Sequence, residues 1–204
     1  MEEIQGFMTL NGLADNVRVD ARYAGEHNFI GQRVDGYCAP KVMGVRTLGE
    51  ALLKAAEEAG AAGLGLLLYD GYRPERAVRH FMRWAEQPED FRTKAVHYPN
   101  IEKSDIIPLG YVARRSGHSR GGTIDLTLYA LKDGQPLDMG GYFDLMDERS
   151  HHGAAGLTPE QTANRALLRD LMLRNGFVDY ENEWWHYRLK DEPYPDRYFD
   201  FVIE

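Results

Sequence analysis

The sequence predicts an α+β fold in which a central antiparallel sheet is flanked by helices. Three observations carry this. Helical segments with capping signals lie toward the two ends of the chain, an alternating apolar run lies between them, and two short β-rich runs close the chain. The chain has 204 residues, 43% of them apolar, with no linker-like tract, like-charge block or repeat, so residues 1–204 are expected to form one domain.

The elements follow in order. Thr47-Leu48-Gly49-Glu50 has the form of a capping box, apolar Leu52, Leu53, Ala56 and Ala59 follow, and Gly60 marks the expected helix end. The apolar run Leu64 to Tyr69 reads as a strand buried on both faces and ends at Asp70. Gly71-Tyr72-Arg73-Pro74 then turns into a second helix, with Pro74 in its first turn and Pro88 beyond its end. Arg73 precedes a proline, so its backbone should be extended and its side chain presented at a strand-to-helix corner. Residues 89–117 show no regular pattern. In Thr123-Ile124-Asp125-Leu126-Thr127-Leu128, alternation places Ile124, Leu126 and Leu128 on one face and Asp125 and Thr127 on the other. Asp133-Gly134 signals a hairpin turn leading to residues 136–138. Thr158-Pro159-Glu160-Gln161 is a second capping box, opening a helix to about Asn175-Gly176, and residues 177–180 and 185–189 read as the closing strands.

Composition excludes several functions. The 24 basic against 32 acidic residues give a net charge of −8, which disfavours nucleic acid and anionic membranes, though not a small anionic group held by one local Arg. A single cysteine, Cys38, allows neither an internal disulfide nor a cysteine-based zinc site. The acidic N-terminus has no apolar run of signal-peptide length and no stretch approaches a membrane span, so a cytoplasmic protein is expected. Self-association is left open. No phosphate loop, dinucleotide fingerprint or nucleophile elbow is present.

Two fragments carry the chemistry: Ser116-Gly117-His118-Ser119-Arg120-Gly121-Gly122-Thr123-Ile124-Asp125 and Glu183-Trp184-Trp185-His186. They offer two imidazoles, a carboxylate that could bind metal and a second carboxylate, the components of a catalytic zinc site. From His118 to Asp125 is ~10 Å along a helix or ~23 Å along a strand, too far for one metal. The chain must therefore turn between them, and Gly121-Gly122 supplies the turn. Taken singly, His118 reads as a loop histidine and His186 as a core histidine under Trp184 and Trp185. Asp125 is harder to dismiss, because a buried carboxylate in an apolar strand needs a cation, hydrogen bonds or metal. Glu183 and His186 would face opposite ways in a regular strand, so Glu183 is placed at the strand entrance, before regular pleating begins. His151-His152 could imitate a metal site, but adjacent residues diverge. His27, His80 and His97 lack partners at metal spacing, and Arg73 alone could equally be a surface ion-pair residue.

With these residues in hand, the chain resembles the VanX-type D-alanyl-D-alanine dipeptidases of the zinc DD-peptidase family, peptidase M15, over nearly its whole length. The resemblance rests on Val34-Asp35-Gly36-Tyr37, Asp70-Gly71-Tyr72-Arg73-Pro74, His118-Ser119-Arg120-Gly121, residues 124–128, Met146-Asp147-Glu148-Arg149-Ser150-His151-His152, Glu183-Trp184-Trp185-His186 and Asp191-Glu192-Pro193-Tyr194-Pro195. Gly117 departs from the serine that the family carries before the metal histidine, and Gly122 stands where the family varies among small residues. The resemblance implies a Hedgehog/DD-peptidase-like fold and one zinc per chain held by His118, Asp125 and His186. It implies Glu183 as general base, Arg73 as electrostatic partner of the reacting carbonyl, and Tyr23, Ser116 and Asp144 at the termini of the substrate, with Trp184 and Trp185 walling off solvent. The implied reaction is cleavage of free D-Ala-D-Ala in the cytoplasm, in glycopeptide resistance or cell-wall precursor turnover. Rival readings are a DD-carboxypeptidase trimming peptidoglycan precursors, a non-catalytic zinc-stabilised binding module, and a metal-free structural protein. Glu183 and Arg73 argue against the second, since a structural metal needs neither.

Overall fold

The computed structural model describes residues 6–204, so the N-terminal segment on which the leader reading partly rests lies outside the described residues. Seven strands and four α-helices follow in the order β1 (Phe7–Thr9), β2 (Val17–Val19), β3 (Met43–Val45), α1 (Arg46–Ala61), β4 (Leu64–Asp70), α2 (Glu75–Ala85), α3 (Lys94–His97), β5 (Thr123–Ala130), α4 (Pro159–Arg174), β6 (Phe177–Tyr180) and β7 (Glu183–Leu189). Five strands form one sheet in the order β2-β4-β5-β7-β6, and β1 pairs with β3 in a small second sheet.

The α+β architecture is as expected, with one difference in the sheet. β2 joins β4 in parallel, Val17 to Val19 opposite Leu66 to Leu68, while the other pairs are antiparallel. The sequence did not reveal β1, β2 or β3, because three residues are too few for a periodicity to emerge.

α1 and α4 pack on each other and against β4, β6 and β7. The alternation of β5 holds, with Ile124, Leu126 and Leu128 fully buried. Its other face is also buried, Asp125 being 2% and Thr127 1% exposed, because the irregular chain around residues 109–117 and 142–148 roofs it. That roofed face carries the site.

Helix ends show where local signals were overridden. Thr158 Oγ1 accepts a hydrogen bond from the Gln161 backbone N–H and Gln161 Oε1 accepts one from the Thr158 backbone N–H, so the second capping box forms as read. Thr47 caps nothing. β3 runs straight into α1, making Val45 the N-cap, and the Val45 and Arg46 N–H groups donate to the carbonyls of Gly121 and Gly6. The helix passes Gly60 and stops before Gly63, whose φ of +75° only glycine adopts freely. Pro74 is the N-cap of α2, one residue ahead of its expected place.

Candidate metal centre and catalytic cleft

Strand register assembles the centre. Asp125 on β5 lies directly opposite His186 on β7, and paired residues of antiparallel strands share a face. The turn that bears the other imidazole, Gly117–Arg120, precedes β5 and ends at Gly121 with φ +82°. That glycine turn folds His118 back over Asp125, as the seven-residue spacing required.

The three side chains converge on one point. His118 Nε2 lies 3.2 Å from Asp125 Oδ2 and 3.3 Å from His186 Nδ1, and His186 Nδ1 lies 3.0 Å from Asp125 Oδ1. Ligand atoms about 2.0–2.2 Å from a tetrahedral zinc stand roughly 3.3 Å apart, so these separations, which involve both Asp125 oxygens, are on the scale of such a site, and one ligand atom from each residue lies within 4.8 Å of the others. Tautomer agrees with this. His118 Nδ1 donates to the Gly71 carbonyl at 2.7 Å, which leaves the Nε2 lone pair free to point inward. Burial pushes the Asp125 carboxyl up, but the charges and hydrogen bonds of His118 and His186 outweigh it and hold Asp125 below the usual carboxylate range. For His186, burial lowers the pKa, and the hydrogen bond and charge of Asp125 followed by the charge of Glu183 reverse the sign and raise it.

Glu183 is brought to the same point by a break in register. Asp179 pairs with Tyr187, but the next pair is Tyr180 with Glu183, so β7 carries three residues that no residue of β6 opposes. An odd offset inverts side-chain parity, and the Glu183 carboxylate comes within 3.5 Å of His186 Nδ1. The conflict between strand alternation and a shared site is resolved by this bulge at the first residues of β7. Burial raises the Glu183 pKa, with the Asp125 charge adding to it and His186 and Arg73 opposing.

Arg73 leaves β4 at the corner before α2, as expected, and is held by residues the sequence had given no role. A bulge in β4 places Asp70 opposite Asp125, where the unbroken register would put Tyr69. Asp70 Oδ2 then accepts from Arg73 Nε and Nη2, both at 2.9 Å, and Asp70 Oδ1 accepts from Tyr37 O–H at 2.7 Å. The guanidinium lies between the rings of Tyr23 and Phe81, 5.1 Å from each centroid, with Nη2 3.6 Å from Asp125. Asp70 was visible in the sequence as the carboxylate ending a buried strand, but its function depends on Tyr37, 33 residues away.

A cleft of about 470 Å³ opens over the centre and is lined by Tyr23, Arg73, Ser116, His118, Asp125, Asp144, Glu183, Trp185 and His186, among others. Tyr23 O–H donates to Asp144 Oδ2 at 2.7 Å, and Ser116 Oγ accepts from His118 N–H at 3.3 Å. Asp144 has φ +59°, a strained setting for a residue that is not glycine, of the kind that clusters at functional sites. Burial raises its pKa well above the ordinary value despite the Tyr23 hydrogen bond. One expected residue is misplaced. Of the two tryptophans expected to wall the cleft, Trp185 lines it and Trp184 does not, because neighbouring side chains diverge. Trp184 backs Trp185 edge-on at 5.3 Å between ring centroids and faces a separate cavity.

A family profile described as D-ala-D-ala dipeptidase, Peptidase_M15, matches residues 3–204. The chain is 53% identical over 199 residues to a D-alanyl-D-alanine dipeptidase of Enterococcus faecium, covering 98% of each chain. It is 54% identical over 197 residues to one of Streptomyces coelicolor, covering 97% of this chain and 98% of that one. An Escherichia coli protein of the same name is 32% identical over 189 residues, covering 93% of this chain and 87% of its own.

Proposed function

The chain belongs to the Peptidase M15 family of D-Ala-D-Ala dipeptidases, and on that premise we propose how its residues divide the work of hydrolysing D-Ala-D-Ala. Residues 1–204 act as one zinc dipeptidase domain, with a single zinc held by His118, Asp125 and His186. The observation that carries this is the convergence of the three side chains, with imidazole nitrogens and Asp125 oxygens 3.0 to 3.3 Å apart. Bound there, zinc supplies a Lewis acid that acidifies water and polarises a carbonyl.

Glu183 is the general base and then the general acid. Its carboxylate lines the cleft 3.5 Å from His186 Nδ1, and its burial raises its affinity for a proton. It takes a proton from the attacking water as the oxygen bonds to the peptide carbon, and gives it to the leaving amine as the C–N bond breaks. Arg73, fixed by Asp70, meets the negative charge that develops on the carbonyl oxygen. Tyr23 and Asp144 receive the substrate ammonium, which supplies the countercharge a buried carboxyl lacks, and the Ser116 O–H donates to the carboxylate end. Trp185 closes one wall.

Among the described residues no helix is long and apolar enough to cross a membrane, and a dipeptide small enough to diffuse freely is a substrate suited to the cytoplasm. The test is incubation of the purified protein with D-Ala-D-Ala, reading free D-alanine with and without a chelator. Release of two D-alanines per dipeptide, abolished by chelation and restored by zinc, is expected. Turnover that survives complete metal removal would overturn the mechanism.

A further inference from the structure

We propose that Arg115 binds the C-terminal carboxylate of the substrate and thereby selects a free acid at that end. The inference rests on the dipeptidase reading above and adds a residue to it.

A zwitterionic dipeptide carries one full negative charge into a cleft already lined by Asp125, Asp144, Glu148 and Glu183. Moving that carboxylate from water toward these acids is unfavourable unless a cation meets it, and the zinc that Asp125 would help hold is engaged with the scissile carbonyl and water. Only two lining residues carry a guanidinium, Arg73 and Arg115. Arg73 is committed: Asp70 occupies two of its N–H groups, Asp125 is 3.6 Å away, and two aromatic rings fix its plane. Ser116 can donate one neutral hydrogen bond, since its oxygen already accepts from the His118 backbone.

Arg115 immediately precedes Ser116 and lines the same cleft. Its sole partner among the described residues is the Tyr198 ring, whose centroid lies 4.9 Å from the guanidinium carbon. Tyr198 is itself fixed, its hydroxyl accepting from Arg120 at 3.4 Å, while Arg120 is held by Glu192 at 2.7 and 3.0 Å. Stacking restrains the guanidinium without using its N–H donors. A planar fork positioned in this way matches a carboxylate in two-point geometry, which a lysine ammonium cannot reproduce.

The experiment compares kcat/KM for D-Ala-D-Ala and for its C-terminal amide in the wild-type zinc enzyme, Arg115→Gln and Arg115→Lys. The wild type should prefer the free acid. Arg115→Gln should lower kcat/KM for the free acid by roughly 10- to 100-fold, the range for one charge-assisted hydrogen bond, mainly through KM. Turnover of the amide should hardly change, so the preference collapses. Arg115→Lys should recover part of the loss. Zinc content and melting temperature should match the wild type, separating this from damage to the neighbouring metal turn. An unchanged acid-to-amide ratio in Arg115→Gln, or an equal fall for both substrates, would overturn the proposal while leaving the dipeptidase reading intact. A wild-type enzyme unable to cleave D-Ala-D-Ala would overturn both.

Discussion

On the proposed assignment each of His118, Asp125 and His186 is a ligand, so losing one should empty the site. His118→Ala and His186→Ala are expected to abolish stoichiometric zinc and activity together, measured by elemental analysis beside D-alanine release. Glu183 makes the opposite prediction. It stands 3.5 Å from His186 outside the proposed ligand set, so Glu183→Ala should retain zinc and lose nearly all turnover. Loss of zinc as complete as in His186→Ala would make Glu183 a ligand. Arg73→Ala should lower kcat by roughly 10²- to 10³-fold, the usual scale for removing one oxyanion donor, with Arg73→Lys recovering only part. A raised KM at near-normal kcat would instead mark Arg73 as a ground-state binder.

At the scale of elements, the site depends on two departures from regular strand geometry. One residue too many in β4 brings Asp70 to the face of Asp125, and three residues of β7 that β6 does not oppose bring Glu183 to the face of His186. The chemistry is thus placed by bulges on strands whose remaining residues keep strict register, and the helices on the far side serve packing. α4 illustrates that division. Its capping box ties the helix N-terminus, and Gln161 also donates to Asp138 at 2.9 Å. Thr158→Ala should cost about 1 kcal/mol of stability, visible as a shifted denaturation midpoint, with kcat/KM unchanged. Thr158→Ser should be close to neutral. A drop in activity at full zinc content would mean that α4 communicates with the cleft.

At the scale of the whole molecule, chain segments distant in sequence meet around the metal turn. The Phe199 N–H donates to the Ser119 carbonyl at 2.9 Å, Glu192 binds Arg120, Phe201 stacks on Tyr72 at 4.0 Å, and Ile203 bridges Tyr37. Together with the roof over β5, this encloses a small cleft whose lining includes the charged Arg73, Arg115, Asp144 and Glu183. Such a site binds a dipeptide with methyl side chains chiefly through its termini, and rejects an analogue that leaves its own polar groups unpaired. N-acetyl-D-Ala-D-Ala and longer peptides ending in D-Ala-D-Ala should therefore be cleaved orders of magnitude more slowly than the free dipeptide. Comparable kcat/KM for the dipeptide and its N-acetyl form would replace the dipeptidase reading with that of a carboxypeptidase.

Local chemistry was legible in the sequence. The parity of β5 follows from a two-residue period, the turn at Gly121 from the reach of the backbone, and the capping box of α4 from the spacing of Thr158 and Gln161, because each is decided by residues within one turn or one strand. The family motifs likewise contain the His118, Asp125, Glu183, His186 and Arg73 side chains that the fold brings together. Where two segments compete for one backbone, the sequence was silent or wrong. Thr47 yields to β3, Gly60 stays helical, β2 pairs in parallel, and Trp184 faces away from the cleft that Trp185 lines. The clamp from Tyr37 through Asp70 to Arg73 and the setting of Arg115 on Tyr198 also lay beyond it. These outcomes depend on contacts between residues tens of positions apart, and no local period or spacing encodes them; only the folded chain decides which partner each group meets.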